Sequence, residues 1–150
     1  MSKRKLNLPP EIEAYSNTEQ VAYLATKALF RIGEDWRCSD KELMALLGNI
    51  GLVELTTLRT ALEKLEPVPV PRERLARIKC LVTIYKAGIE TYGSVQKAAR
   101  EMRISRSGQP FQGKAPIAHM VNNGLSGIIE CTKAFAGTVP DLGELQQKAS

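Results

Sequence analysis

Hydrophobic residues recur every three or four positions along most of the chain, which is the spacing of one face of an amphipathic α-helix. The first such stripe begins after Ser16, which stands three residues before Glu19 in the spacing of a helix-opening capping box. The stripe ends at Gly33, and glycine commonly follows a helix. The pattern predicts a long first helix. Residues 1–15 show no period and are expected to form a flexible N-terminal arm.

A second capping box, Ser39 with Glu42, precedes a short apolar run that stops at Gly48. A narrow leucine stripe then predicts a third helix over about residues 52–65. Two helices of these lengths, joined by a short turn between glycines, have the dimensions of a helix–turn–helix. Residues 16–66 are therefore expected to form a helix–turn–helix-like domain.

Three alternating prolines then interrupt the pattern, and they cannot lie inside a helix: Pro67, Pro69 and Pro71. Residues 67–71 are expected to form a stiff, extended linker. The longest apolar stripe follows and predicts a helix from about Pro71 to Tyr92, with Gly93 as its C-cap. Ser94 is placed to cap a short helix after it.

The segment Ser105–Ala115 is rich in glycine, serine and proline, which is typical of a loop. Pro116 is suited to open a short helix that ends at residues 122–124, and a last helix is predicted over about residues 125–136. Alternating β-branched runs, the signal of a strand, are absent from the sequence. The expected fold is therefore all-α.

The domain organisation predicted from these elements has two helical parts. The helix–turn–helix-like domain is followed, after the linker, by a C-terminal helical domain over residues 72–140, and residues 141–150 are expected to form a tail. The 150 residues are 43% hydrophobic, which is enough for a substantial core. No apolar run approaches the roughly 18 residues of a membrane span, and no secretory signal is visible, so a cytoplasmic location is expected.

Charge and cysteine content narrow the classes of partner and of site. The formal net charge of +5 favours an acidic partner, such as nucleic acid, an acidic protein surface or an anionic pocket. The three cysteines, Cys38, Cys80 and Cys131, are widely spaced and contain no CxxC pair. Neither a disulfide framework nor a zinc site is therefore expected.

A catalytic function has little support in the sequence. The chain contains no phosphate-binding loop, dinucleotide fingerprint, HExxH or GxSxG motif, and its one histidine, His119, is predicted on a short helix. We therefore expect no catalytic residue, no cofactor and no bound metal. A small enzyme that uses Cys131 or His119 is one alternative hypothesis, and such an enzyme would need a nucleophile and a base close together.

A DNA-binding function would place the second helix of the helix–turn–helix in the major groove. The candidate DNA-binding residues are the polar ones on that helix: Thr56, Thr57, Arg59 and Lys64. Two acidic residues of the same helix, Glu54 and Glu63, would oppose phosphate. A transcriptional regulator that acts chiefly on DNA is therefore another alternative hypothesis.

A basic stretch runs from Arg72 to Arg106, with nine positive residues against three negative ones. It leads into the predicted loop, so Arg106 to Lys114 would form a mobile segment that presents cations. Such a segment is suited to enter an anion-binding cleft. The alternatives without a binding function are that the basic stretch is a solvated helix face and that the loop is an exposed connector.

The chain resembles the Xre/MbcA/ParS antitoxin family over about Trp36 to Gly137. The resemblance rests on the order and spacing of three segments: WRCSDKELMALLG at 36–48, RLARIKCLVTIYKA at 74–87 and FQGKAPIAHM at 111–120. A turn at Gly124 leads into the last helix. Met102 stands where the family commonly has tryptophan.

The resemblance implies that the chain binds a cognate RES-domain toxin, an enzyme that consumes NAD, and covers its active site. It also implies binding to operator DNA in autorepression, and a homodimer or a hetero-oligomer with the toxin. Combined with the basic loop, it makes the following the candidate toxin-binding residues: Arg100, Arg103, Arg106, Phe111 and Lys114.

Overall fold

A computed structural model describes residues 8–142 of the chain. Within that range the protein is all-α, with seven helices and no strand. The helices are α1 (Pro10–Glu13), α2 (Asn17–Asp35), α3 (Asp40–Leu46), α4 (Leu52–Glu63), α5 (Arg72–Tyr92), α6 (Val95–Glu101) and α7 (Pro116–Ala136). The predicted all-α fold class is confirmed.

Both predicted capping boxes are formed. The Ser16 side chain accepts a hydrogen bond from the backbone N–H of Glu19, and the Glu19 carboxylate accepts one from the Ser16 backbone N–H. Ser39 and Glu42 repeat the arrangement at the start of α3. Gly93 ends α5 in the left-handed conformation, as its position in the sequence predicts.

The ends of the chain differ from expectation where the structure describes them. Residues 10–13 form α1 rather than a loose arm, because Ile12 is fully buried and fixes the segment on the core. At the other end Leu142, predicted to begin a tail, is 5% exposed and belongs to the core. The remainder of the predicted arm and tail, residues 1–7 and 143–150, lies outside the described residues.

One hydrophobic core spans both predicted halves of the chain. Its buried cluster includes Leu43 and Leu55, which precede the proline segment, together with Leu81, Met120 and Ile128, which follow it. The proline segment has no regular secondary structure, and two of its residues, Val68 and Val70, pack against this cluster. Helix α5 lies at the centre and packs mainly on α7 and α2.

Helix α7 turns sharply in its middle, where a break is predicted from Asn122, Asn123 and Gly124. Gly124 has φ 64° and ψ −149°, a conformation that glycine adopts readily. The His119 side chain on the first arm lies 2.8 Å from the Glu130 carboxylate on the second. Eleven residues of straight helix would span about 16 Å, so the two arms fold back on each other.

No helix formed by residues 8–142 is long and apolar enough to cross a bilayer.

Candidate functional site

The loop between α6 and α7, residues 105–115, is closed on itself. Its two ends meet in an isolated antiparallel bridge, in which the Arg106 N–H donates to the Lys114 carbonyl at 3.2 Å. The Gly113 N–H donates to the Arg106 carbonyl, and the Phe111 N–H donates to that of Gly108. The loop is therefore held by its own backbone hydrogen bonds.

Phe111 is the anchor under this loop. Its ring is 4% exposed and makes edge contacts with His119, at 5.5 Å between ring centroids, and with Phe135, at 6.4 Å. In the free chain the Phe111 ring packs between the loop and α7 rather than facing outward, and its predicted contact with a toxin stays a prediction. An aromatic ring of this size stabilises the loop chiefly through its buried apolar surface.

Arg106 is also used inside the fold. Its guanidinium lies 4.9 Å from the Phe135 ring centroid and 5.8 Å from that of Phe111. It donates to the Tyr92 hydroxyl and lies 3.5 Å from a Glu101 carboxylate oxygen. Arg106 is thus engaged within the fold rather than free, because the rings and the hydroxyl offer the guanidinium a better-defined position than water does. Its predicted contact with a toxin stays a prediction.

The outer surface of the loop is nevertheless exposed and polar. Ser105, Ser107, Gln109, Gln112 and Lys114 all belong to the exposed class. Within residues 8–142 the Lys114 ammonium has no ion-pair partner. The loop therefore presents a fixed backbone with a free cation at one edge.

Arg103 joins α6 to the turn between α2 and α3. Its guanidinium donates to the Trp36 carbonyl at 3.0 and 3.2 Å and to the Arg37 carbonyl at 2.8 Å. It also forms an ion pair with Glu42 at 2.9 Å, and this pair holds the pKa of the Glu42 carboxyl below its usual range. Arg103 is therefore committed to the fold rather than free for a toxin.

Arg100 lies one turn earlier on α6 and is exposed, without a partner among residues 8–142. It borders a cleft of about 710 Å³ between the C-terminal end of α2 and α6. Arg103 borders the same cleft, so two of the five candidate toxin-binding residues share a concave surface. Lys114, Arg106 and Phe111 belong to the neighbouring loop.

The candidate DNA-binding residues differ in whether their side chains are free or engaged within the fold. Thr56 and Thr57 are exposed on α4, and Lys64 is exposed at its C-cap, as expected. Arg59 instead pairs with Asp40 of α3 at 2.7 Å and lies 5.3 Å from the Phe30 ring centroid. This candidate DNA-binding side chain is therefore engaged by α2 and α3.

The first turn of α4 is unusually apolar for a surface. Val53 is 82% exposed and Leu52 56% exposed, and the two are neighbours. Glu54 beside them is paired with Arg74 of α5 at 2.7 Å, so its charge is compensated. One of the two acidic residues that would oppose phosphate is thus neutralised within the fold, whereas Glu63 stays exposed.

His119 and Cys131 are buried, and their surroundings do not favour a catalytic role. The Asn123 amide donates to His119 Nδ1 at 3.2 Å, so the Nε2–H of the same ring donates to Glu130. Cys131 is fully buried, and burial raises the pKa of its thiol to about 12. A thiol with that pKa is protonated at neutral pH and is a poor nucleophile.

The part of the chain from 8 to 142 brings no three His, Cys, Asp or Glu side chains together in a way that could hold a metal ion. Comparison with models of known protein families, with curated proteins and with solved structures gives no match. The resemblance described above therefore rests on the residues quoted for it.

Sequence reasoning missed the cleft between α2 and α6, because its walls are about 60 residues apart in the chain. It also missed the internal use of Arg103 and Arg106, since a helical spacing does not show which distant carbonyls and rings a guanidinium will meet. The excess of positive over negative residues in the basic stretch overstates the number of free cations for the same reason. Four of its arginines form ion pairs within the fold: Arg74, Arg77, Arg103 and Arg106.

Proposed function

We propose that this chain is a cytoplasmic antitoxin that binds a RES-type, NAD-consuming enzyme and blocks its active site without catalysing any reaction itself. The observation that carries the proposal is the closed loop at residues 105–115. The buried Phe111 ring anchors the loop, and the Arg106 guanidinium packs on that ring. The polar outer surface of the loop is exposed. It acts in a homodimer or in a hetero-oligomer with the enzyme.

A closed loop of this kind is suited to inhibition for a thermodynamic reason. A flexible loop must lose conformational entropy when it binds, and that loss subtracts from the affinity. Here the backbone is already held by the bridge between Arg106 and Lys114, so little ordering remains to be done. Lys114 then offers a cation to the carbonyl and carboxylate groups that surround an NAD site.

Lys114→Glu is expected to weaken inhibition of the RES-domain enzyme that the proposal requires by about tenfold, or about 1.4 kcal/mol. The side chain is exposed and unpaired in the described part of the chain, so the fold is expected to be unchanged. The measurement is the rate of NAD consumption by the purified enzyme against antitoxin concentration, with circular dichroism to verify folding.

Lys79→Glu serves as the matched control, because Lys79 is an exposed lysine on α5 outside the loop. It makes the same change in net charge and is expected to inhibit like wild type. Equal inhibition by all three proteins would place the blocking surface elsewhere. A wild-type chain that leaves NAD consumption unaffected would contradict the antitoxin function itself.

Operator binding in autorepression is a second proposed function, favoured by the exposed polar face of α4. Thr56, Thr57 and Lys64 point away from the core on the second helix of the α3–turn–α4 hairpin. Hydroxyl groups contact either bases or phosphates, and a lysine neutralises phosphate. Arg59 is left out of this surface because Asp40 and Phe30 hold it.

Lys64→Ala is expected to weaken binding to the promoter of this gene and to lower the slope of log affinity against log salt by about 1. The change removes one phosphate contact, so the loss is expected to be similar for other DNA sequences. Titrations of labelled promoter DNA at several salt concentrations measure both quantities. An unchanged salt slope would remove Lys64 from the DNA-binding surface.

A further inference from the structure

The cleft between the end of α2 and α6 contains charges that the fold does not use. Two ionic groups at its border are already engaged: Arg103 pairs with Glu42, and Asp35 binds both Arg31 and the Tyr85 hydroxyl. Three others have no ionic partner among residues 8–142, namely the side chains of Glu34, Arg37 and Arg100. The unpaired set therefore carries two guanidiniums against one carboxylate.

Arg37 occupies a backbone position that favours glycine. It has φ 58°, and it follows α2 in the arrangement that commonly ends a helix, in which the Cys38 N–H donates to the Gly33 carbonyl and the Arg37 N–H donates to that of Glu34. A side chain in this left-handed conformation strains the backbone. The Arg37 carbonyl is bonded by Arg103, but its own side chain is exposed and makes no bond that would offset the strain.

The opposite wall of the cleft is partly apolar. Val95 and Ala99 of α6 line it, and Ile104 at its edge is 45% exposed. An apolar side chain entering the cleft would remove this surface from water. The cleft thus joins a cationic rim to an apolar wall within about 710 Å³.

We propose that this cleft is a second docking site for the partner enzyme and receives a segment of that enzyme that carries an aspartate or glutamate beside an apolar side chain. The inference rests on the antitoxin function proposed above. The carboxylate lies between the guanidiniums of Arg37 and Arg100, whose planar forks bind it through paired hydrogen bonds. The neighbouring apolar side chain packs on Val95, Ala99 and Ile104.

Arg37→Gly tests this inference because the change is expected to preserve or raise thermal stability while it weakens binding of the enzyme. The glycine relieves the left-handed strain, so the melting temperature is expected to stay equal or to rise. Loss of the guanidinium is expected to weaken binding of the purified RES-domain enzyme about tenfold or more, measured by isothermal titration calorimetry. Arg100→Ala is expected to weaken binding similarly with an unchanged melting temperature, and Lys79→Ala is expected to change neither quantity.

The outcomes separate this inference from the function on which it rests. If both arginine variants bind the enzyme as wild type does while Lys114→Glu binds more weakly, the loop acts alone and the cleft is not a docking site. If Arg37→Gly lowers the melting temperature, the side chain serves the fold and the inference also fails. Absence of binding by the wild-type chain overturns the antitoxin function and this inference together.

Discussion

Replacing Gly127 with alanine is expected to lower the free energy of unfolding by about 3 kcal/mol. An added Cβ would lie 2.7 Å from the Asn123 Cβ and 2.9 Å from the His119 carbonyl oxygen. These atoms belong to the first arm of α7, and neither can rotate away, because both are fixed by the backbone. The arms would have to separate and break the contact between His119 and Glu130. Urea unfolding followed by circular dichroism measures the loss.

Gly108→Ala is the matched control for this change. A Cβ at Gly108 has no heavy atom within 4 Å, and its φ lies outside the left-handed range. The same glycine-to-alanine change is therefore expected to leave stability unaltered or to raise it by about 0.5 kcal/mol, since alanine restricts the unfolded chain. Equal stability of the Gly127 and Gly108 variants would show that the arms of α7 are not closely packed.

Arg103→Ala is expected to cost about 2 kcal/mol of stability, because the carbonyls of Trp36 and Arg37 and the Glu42 carboxylate all lose a charged donor. The side chain is 39% exposed, so water replaces part of what is lost. Arg100→Ala, three residues earlier on α6 and without a side-chain bond in the described chain, is expected to stay within about 0.5 kcal/mol of wild type. Thermal and urea unfolding distinguish the two variants.

The pH dependence of stability provides a second readout of the Arg103 change. Arg103 lowers the pKa of Glu42 in the folded chain, so this contribution is complete above the unfolded pKa and is lost as pH falls through the folded one. Wild type is therefore expected to lose more stability than Arg103→Ala on acidification below about pH 4. Parallel stability curves for the two proteins would contradict the Glu42 assignment.

The helix boundaries could be predicted because their causes are local. The capping boxes at Ser16 and Ser39 involve residues three positions apart, and the left-handed end of α5 needs only Gly93. Gly33 is the exception. It does not end α2 but lies in its last turn, where a Cβ would come within 2.8 Å of Leu43. Close helix packing, rather than a helix end, accounts for that glycine.

The candidate site could be predicted only in part, because its decisive contacts join distant segments. The composition of residues 105–115 indicates a loop, but the ring that makes Phe111 an anchor, Phe135, comes 24 positions later. The same holds for Arg103, whose acceptors at Trp36 and Arg37 come more than 60 positions earlier. Lys114 and Arg100 remain exposed as expected, since no distant partner reaches them in the described chain.

The common core of the two halves means that a partner bound to one half would also stabilise the other. A protein that binds only the native state stabilises all of it, by about 2.7 kcal/mol at a concentration one hundred times its Kd. Since Leu43 and Leu55 share a buried cluster with Met120 and Ile128, a partner on the loop also protects α3 and α4. Proteases that require local opening would then degrade the free chain faster than the bound one at every site. If the proposed partner and operator binding both hold, the amount of α4 available to DNA would in this way follow the supply of partner.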